Sequence, residues 1–214
     1  KEESENYGVH LNFSKIRLPR PTQQLHKPFK DVKAVLNEMR AFNENLYLCG
    51  LITYSLLLRP HREIRCLRFS DFNIDYTVLS LSGDRVKSKR NRILPVPQIV
   101  RDEIQRRADK AVGLDVNLFS LENKEHQEDY FKGLWTKFKR QSATIKPEQT
   151  LYSFRHTGAI RVFEKTGSLL KLQQVMGHSE LTTSLIYLRG LEVKQLEVKQ
   201  LGVEDLPSLF FLYI

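Results

Sequence analysis

Residues 150–188 read TLYSFRHTGAIRVFEKTGSLLKLQQVMGHSELTTSLIYL, and the signals in this stretch decide how this part of the chain folds. Glycines end two of its apolar runs and serines begin two of them, and both are common helix boundary signals. We therefore predict three short helices, over 153–166, over 169–176 and from about Glu180. The residues predicted to cap them are Gly167, Ser168, Gly177 and Ser179.

Four more helices are predicted before this stretch. Apolar residues at three- and four-residue spacing follow Asp31 and indicate the first of them. The segment LYLCGLITYSLLL at 46–58 is apolar on nearly every side, so it should form a buried central helix. The remaining two helices are expected over 97–112 and 127–142.

Between these helices the apolar period changes to two. Residues 74–78 alternate between apolar and polar side chains, and the apolar run ILPV occupies 93–96. A Ser-Gly-Asp turn at 82–84 and the basic stretch RVKSKRNR at 85–92 separate them. We therefore predict a small antiparallel sheet with a basic loop. The predicted fold class is mainly α with a small antiparallel β-sheet (α+β).

The composition is that of a folded, basic protein. Of 214 residues 41% are hydrophobic, and 34 Lys and Arg against 25 Asp and Glu give a net charge of +9. That charge suits a polyanion such as nucleic acid, although it also occurs simply as solubility charge. Two cysteines, Cys49 and Cys66, are too few for a disulfide-stapled secreted domain or a thiolate metal site. Neither a signal peptide nor an apolar run of the ~18 residues needed for a membrane span is visible.

The two ends of the chain differ from its middle. Residues 1–30 are rich in proline and basic residues and predict an extended arm or linker, or else an ordinary terminus. Residues 191–214 contain LEVKQ twice and then an apolar tail, which should dock on its own domain or on a neighbour. The chain begins in a polar stretch without methionine, so we interpret it as a fragment of a longer protein.

Basic, histidine and tyrosine side chains concentrate in four segments. These are LLLRPHREIRCLRFSDF (56–72), RVKSKRNRILPVP (85–97), TLYSFRHTGAIRVF (150–163) and VMGHSELTTSLIYL (175–188). Taken singly, each has an ordinary explanation, such as a helix-surface pair between Arg59 and Glu63 or solvated loop charges. Their order and spacing carry more information than any one segment.

In this order the segments resemble the catalytic domain of the tyrosine recombinases, the phage integrase family, over about residues 30–190. Arg59, with F-S-D at 69–71, matches the first arginine of the family signature. Lys87 lies eight residues before Pro95 and so matches the lysine of the family's β-hairpin.

The second half of the signature is its more specific part. R-H-T at 155–157 matches the family box that contains the second arginine, and G-H-S at 177–179 follows. Tyr187 lies nine residues after His178, as the nucleophile of the family does. The combination of these motifs at this spacing is a strong match.

Two positions depart from the family pattern. Tyr152 stands three residues before Arg155, where the family usually has histidine. We expect its hydroxyl to point at the phosphate pocket, the alternative being a packing residue at the start of its helix. Glu63 follows Arg59 by four residues rather than three, which a one-residue insertion in the first helical turn would explain.

The resemblance implies that a tyrosine cleaves a DNA phosphodiester without a metal or other cofactor. Tyr187 would be the nucleophile, Arg59 and Arg155 would grip the non-bridging oxygens, and His178 would complete the cationic pocket. Lys87 would protonate the departing 5′-oxygen. Contacts with DNA are expected from Lys87, Lys89, Arg90 and Arg92.

The last predicted helix places the nucleophile at the edge of an apolar stripe. Leu181, Leu185 and Leu188 share one face at ~100° per residue and should face the core. Tyr187 would lie at the margin of that face, anchored by the helix and able to reach a ligand outside.

These observations predict the catalytic domain of a site-specific DNA recombinase (integrase) over 31–190. Residues 1–30 would link it to a missing N-terminal DNA-binding domain, and 191–214 would form a C-terminal helix and apolar tail. Its partners would be duplex DNA and copies of itself, as a tetramer on DNA, in a prokaryotic cytoplasm and associated with the nucleoid. Two alternatives remain open, namely a type IB topoisomerase and a catalytically silent DNA-binding module of the same fold.

Overall fold

The computed structural model describes residues 26–86 and 89–188. Within these ranges the fold is mainly α with one two-stranded antiparallel sheet, as predicted. The elements are α1 (Val32–Phe42), α2 (Glu44–Ser55), α3 (Arg62–Arg65), a 3-10 helix (Phe69–Asp71), β1 (Val78–Leu81), β2 (Arg92–Pro95), α4 (Gln98–Ala108), α5 (Tyr130–Gln141), α6 (Leu151–Thr166), α7 (Leu169–Met176) and α8 (Leu181–Leu188).

Helix α2 lies at the centre of the fold. Every residue from Leu46 to Thr53 is buried, as expected for a helix that is apolar on all sides. Helix α6 packs directly on it, since a Cβ at Gly158 would lie 2.2 Å from the carbonyl oxygen of Tyr54. A smaller apolar cluster around Leu57 and Leu172 joins α6 to α7. The central helix therefore fixes the position of α6.

The predicted signals locate the end of α6 and both ends of α7, whereas α6 begins at Leu151, two residues before the predicted start. Thr150 caps α6, where its hydroxyl accepts a hydrogen bond from the Tyr152 amide. Gly167 ends that helix in the left-handed conformation at φ 59°, and Gly177 ends α7 in the same way at φ 65°. Ser168 caps α7 through the amide of Lys171. Local capping chemistry thus decides where these helices stop.

The sheet begins later than the sequence pattern suggests. The strand predicted at 74–78 is wrong, because β1 starts only at Val78 and pairs with β2 from there. Ile74 is 90% exposed and Tyr76 adopts a positive φ of 52°. The side chain of Asn73 accepts a hydrogen bond from the Val78 amide at 2.8 Å, while its carbonyl accepts one from Tyr76. These bonds close a turn over residues that alternate like a strand.

Helix α8 turns a different face inward from the one predicted. Leu181 and Leu185 are 42% and 45% exposed, so the expectation that they face the core is wrong. The buried residue of this helix is Ser184, and Leu188 packs against the smaller apolar cluster. The inward face thus combines a buried serine with apolar packing.

The described part of the N-terminal segment packs on α6. Phe29 is buried, with its ring centroid 4.5 Å from that of Phe154, and its amide donates to the Thr157 hydroxyl at 2.9 Å. The predicted C-terminal helix and tail at 191–214 lie outside the described residues. In the described ranges, no helix has the length and apolar character that a membrane crossing requires.

Candidate active site

Arg155 lies at the centre of the site. Its side chain is fully buried in the second turn of α6. One terminal nitrogen donates to the Met176 carbonyl at 3.1 Å, and Nε donates to the Tyr187 hydroxyl at 3.4 Å. The other terminal nitrogen, NH1, is buried and has no hydrogen-bond partner among the described residues. A buried guanidinium with an unused donor is suited to bind an anion.

His178 is held beside Arg155 as a neutral ring. Burial lowers its pKa to about 4, and the positive charges of Arg155 and Arg59 add to this effect. Its Nε2 lies 3.5 Å from a terminal nitrogen of Arg155, and its Nδ1 lies 2.9 Å from the Ser184 hydroxyl oxygen. A guanidinium can only donate, so the lone pair belongs on Nε2 and the proton on Nδ1.

Tyr187 lies on α8 against these two groups. It is partly buried and packs against the smaller apolar cluster. Its ring centroid is 5.5 Å from that of His178 and 5.8 Å from that of His156. The guanidinium carbon of Arg155 lies 5.8 Å from the same centroid. The phenol is thus placed next to a fixed positive charge.

Arg59 is held by a buried carboxylate. It lies three residues before α3, and its NH1 donates to Oε1 of Glu63 at 2.5 Å. Its backbone amide donates to Oε2 of Glu63 at 3.0 Å. Burial alone would raise the Glu63 pKa, but the charge and hydrogen bonds of Arg59 lower it below its ordinary value. The pair is therefore not the helix-surface pair that the sequence also allowed, because the Glu63 side chain is only 2% exposed.

Tyr152 lies beside the same pocket. Its ring stacks on His26, with centroids 5.2 Å apart, and lies 5.9 Å from the ring of His61. Burial raises its pKa, and the positive charges of Arg59 and Arg155 act in the opposite direction. Both arginines are thus near enough to act on its phenol, whereas the flanking imidazoles were not found from the sequence.

The residues predicted to contact DNA divide into three cases. Lys89 and Arg90 are exposed beside the hairpin loop. Lys87 lies outside the described residues, so its role as the general acid stays a prediction. Arg92 is only 4% exposed, so the prediction that it contacts DNA is wrong.

The pleat of β2 explains the error at Arg92. Arg92 and Leu94 face inward, whereas Ile93 between them is 73% exposed. The apolar run at 93–96 suggested that the basic residue before it was part of the loop. Instead NH1 of Arg92 lies 3.2 Å from Oε2 of Glu63, inside the fold.

Two groups of this site escaped the sequence analysis. Ser184, which orients His178, lies three residues before Tyr187 and so shares its side of α8. That spacing was the available signal, but serine on a helix is usually a surface residue. The ion pair between Arg92 and Glu63 joins residues 29 positions apart and left no local signal.

Comparison with known proteins agrees with this geometry. The sequence profile described as the phage integrase family matches residues 28–192. The chain belongs to the phage integrase family. The match covers all the described elements of the site, from Arg59 to Tyr187.

Individual relatives are similar at low sequence identity. The tyrosine recombinase XerA of Thermococcus kodakarensis is 25% identical over 190 residues, which cover 85% of this chain and 64% of the relative. The chain thus spans somewhat less than two thirds of that relative's length.

Solved structures of two integrases share the fold. The Tn1549 transposon integrase in complex with transposon right end DNA has a TM-score of 0.61 at 18% identity, covering 77% of this chain and 62% of that one. The catalytic domain of bacteriophage HP1 integrase has a TM-score of 0.56 at 19% identity. That comparison covers 86% of this chain and 100% of the HP1 domain.

Proposed function

We propose that this chain is the catalytic domain of a site-specific DNA recombinase, which cuts and rejoins duplex DNA through a 3′-phosphotyrosine. The observation that carries the proposal is the contact between Arg155 and Tyr187. A fully buried guanidinium donates to the tyrosine hydroxyl at 3.4 Å and keeps another buried nitrogen unpartnered among the described residues. Family membership over 28–192 supports the same activity.

The proposed reaction is a transfer of the phosphoryl group to tyrosine and back. Tyr187 loses its phenolic proton to water and attacks the scissile phosphorus, so the new bond joins its oxygen to the 3′-phosphate and the bond to the 5′-oxygen breaks. Arg155 and Arg59 would bind the non-bridging oxygens, whose charge grows in the transition state. The fixed positive charge of Arg155 would also stabilise the negative charge that the attacking tyrosine oxygen carries in the transition state. The bond energy is retained in the phosphotyrosine, so the reverse attack by a 5′-hydroxyl rejoins the strand.

Three further residues complete the proposed site, and one of them transfers a proton. Lys87 would give a proton to the departing 5′-oxygen, on the resemblance of its position to the hairpin lysine of the family. His178 is neutral at pH 7, because burial lowers its pKa to about 4, and would accept a hydrogen bond rather than supply charge. Tyr152 would add one hydroxyl donor to the phosphate in place of the usual histidine.

Duplex DNA is the proposed partner. The net charge of +9 and the exposed Lys89 and Arg90 fit a phosphate backbone. The Tn1549 transposon integrase, which shares this fold, was solved in complex with transposon right end DNA. We further propose that residues 1–30 link the domain to a DNA-binding domain, that 191–214 dock on their own domain or on a neighbouring copy, and that the chain works as a tetramer on DNA. Association with the nucleoid of a prokaryotic cell belongs to the same proposal.

Formation of a covalent adduct tests the proposal. The target sequence need not be known, because the substrate is a mixture of sequences. The chain is incubated with a library of duplexes that carry a randomised segment and a nick a few nucleotides beyond it. Cleavage then releases a short fragment, and the adduct cannot rejoin. We expect adducts that resist denaturing detergent and share a recovered sequence. Tyr187→Phe should retain DNA binding but form no adduct.

The possible outcomes also distinguish the alternatives. DNA binding without an adduct, under every condition, would favour the catalytically silent module and contradict the proposal. Adducts with no preferred sequence, together with relaxation of supercoiled plasmid and no strand exchange, would favour a type IB topoisomerase.

A further inference from the structure

The buried arginine of β2 connects the two halves of the site. NH1 of Arg92 donates to Oε2 of Glu63 at 3.2 Å, and NH2 donates to the carbonyl of Val175. Its side chain is 3% exposed. A charge buried this deeply is retained only when it is paired, and here the two partners lie on different sides of the site.

On one side, Arg92 shares a carboxylate with Arg59. Oε1 of Glu63 accepts from NH1 of Arg59, while Oε2 accepts from Arg92 and from the Arg59 backbone amide. Within the described residues, the hydrogen bonds of the carboxylate therefore all come from these two arginines. Without Arg92, one oxygen of Glu63 would lose its buried cationic partner and Glu63 would no longer be fixed from two directions.

On the other side, Arg92 supports the turn that carries His178. A Cβ added at Gly177 would lie 2.6 Å from Cδ of Arg92, so the two are in close contact. Gly177 has a φ of +65°, and His178 is the next residue. Val175, whose carbonyl Arg92 binds, lies two residues before Gly177 in the last turn of α7. The Arg92 side chain thus contacts this turn at both Val175 and Gly177.

Arg92 also contributes to the charge of the pocket. Burial lowers its own pKa to about 10, which leaves it charged at pH 7. Its charge is one of three that lower the pKa of His178, after those of Arg155 and Arg59. It makes no contact with Tyr187 in the described structure. Any effect on the reaction would therefore act through Arg59 and His178.

We propose that Arg92 is a positioning residue that fixes Arg59, through Glu63, relative to the turn carrying His178. It would act on cleavage through those groups and would not touch the scissile phosphate. The inference rests on the proposed function, because it assigns a role within the same phosphoryl transfer.

The alternative is that Arg92 only stabilises the fold, and a second buried arginine provides the control. Arg107 is 5% exposed, its NH1 donates to Asn45 and to the Leu118 carbonyl, and its guanidinium lies over Phe119. Arg107→Met and Arg92→Met should both lower the unfolding temperature. Only Arg92→Met should slow cleavage in the folded protein.

The experiment measures single-turnover adduct formation at saturating DNA, below the unfolding temperature of each variant. Arg92→Met loses the charged hydrogen bond to Glu63, the carboxylate that holds Arg59. Its adduct formation should therefore be about 10- to 100-fold slower, with DNA affinity nearly unchanged. Arg92→Lys retains one charge but cannot grip both Glu63 and Val175, so its rate should lie between those of Arg92→Met and the parent. It carries the test if Arg92→Met does not fold.

A neutral substrate supplies a readout that a purely structural role would not change. A methylphosphonate at the scissile position lacks the charge that Arg59 would bind. If Arg92 acts by placing Arg59, the defect of Arg92→Met should shrink on this substrate to about threefold or less. A defect of equal size on both substrates would overturn the inference.

Three further outcomes would also decide the matter. Equal rates for Arg92→Met and Arg107→Met would show that Arg92 is only structural. Full activity of Arg92→Lys would show that simultaneous contact with Glu63 and Val175 is not needed. Absence of any adduct with the parental chain would instead overturn the proposed function itself.

Discussion

At the scale of single residues, the main feature of the site is that Arg155 is buried and has one nitrogen without a hydrogen-bond partner among the described residues. Burial removes its side chain from water, and two of its nitrogens contact Met176, His178 and Tyr187. NH1 has no partner within the described ranges, and an unpaired buried donor is unfavourable until an anion binds. In the proposed reaction, this donor would already be in place for the phosphate before DNA binds.

The first residue-scale prediction concerns Ser184. Its hydroxyl fixes the ring of His178, so Ser184→Ala should allow the ring to rotate or change tautomer. We expect adduct formation to slow by about 3- to 10-fold, the value of one ordinary hydrogen bond. Thr182→Ala is the control, because Thr182 is exposed on the same helix. Equal rates for the two variants in a single-turnover assay would remove Ser184 from the site.

The second residue-scale prediction concerns Tyr152, which stands at the usual histidine position. Tyr152→Phe should slow cleavage modestly, by less than the removal of either Arg59 or Arg155, since it loses one neutral donor. Tyr152→His should be tolerated and should cleave relatively faster at lower pH, where imidazole carries a proton. The pH profiles of adduct formation for the three proteins test this. A Phe variant that cleaves at the parental rate would make Tyr152 a packing residue.

At the scale of secondary structure, two glycines in helices should respond in opposite ways to the same change. Gly158→Ala would place a methyl group 2.2 Å from the Tyr54 carbonyl oxygen, so α6 must move away from α2. We expect a loss of at least about 2 kcal/mol in the free energy of unfolding. Gly133→Ala, on the exposed face of α5, has nothing within 4 Å and should stabilise by about 0.5–1 kcal/mol. Urea unfolding of both variants measures this, and a stable Gly158→Ala protein would contradict the close packing of α6 on α2.

Only some of the helix and strand boundaries could be predicted from the sequence. The ends of α6 and α7 follow from caps within a few residues, so Gly167 and Gly177 located them correctly. The start of β1 could not be found in this way, because Asn73 bonds to the backbone of a turn that competes with the strand pattern. The inward face of α8 was missed for another reason. Ser184, which contacts His178, and Leu188, which packs on the smaller apolar cluster, face inward instead of Leu181 and Leu185.

In the site, too, local sequence signals identified some residues and long-range contacts supplied the others. The motif spacing predicted Arg155, His178 and Tyr187 as site residues, and the structure places them in contact. The partners that hold the site together, such as Arg92 for Glu63, come from distant segments and appear only after folding. Long-range ion pairs carry no periodicity, so a single sequence cannot reveal them.

At the scale of the whole molecule, stability should depend on two buried histidines. Burial lowers the pKa of His156 and of His178 to about 4, below their ordinary value of 6.5. The unfolded chain therefore binds protons that the folded chain does not between about pH 6.5 and pH 4. Stability is fully present above this window and is lost as the pH falls through it.

This sign gives a direct test in urea. The unfolding midpoint of the parental chain should fall between pH 7 and pH 5, and the fall should be smaller in His156→Gln, which cannot titrate. If the two midpoints decline in parallel, His156 is not buried in its neutral form.

The central claim is that one particular tyrosine in a pocket containing two attacks the phosphorus. The most direct measurement is to digest the covalent adduct with trypsin and nuclease and to locate the remaining 3′-nucleotide by fragmentation in a mass spectrometer. We expect the nucleotide on Tyr187, within the tryptic peptide 172–189. A nucleotide on Tyr152, or an adduct that persists in Tyr187→Phe, would contradict this claim.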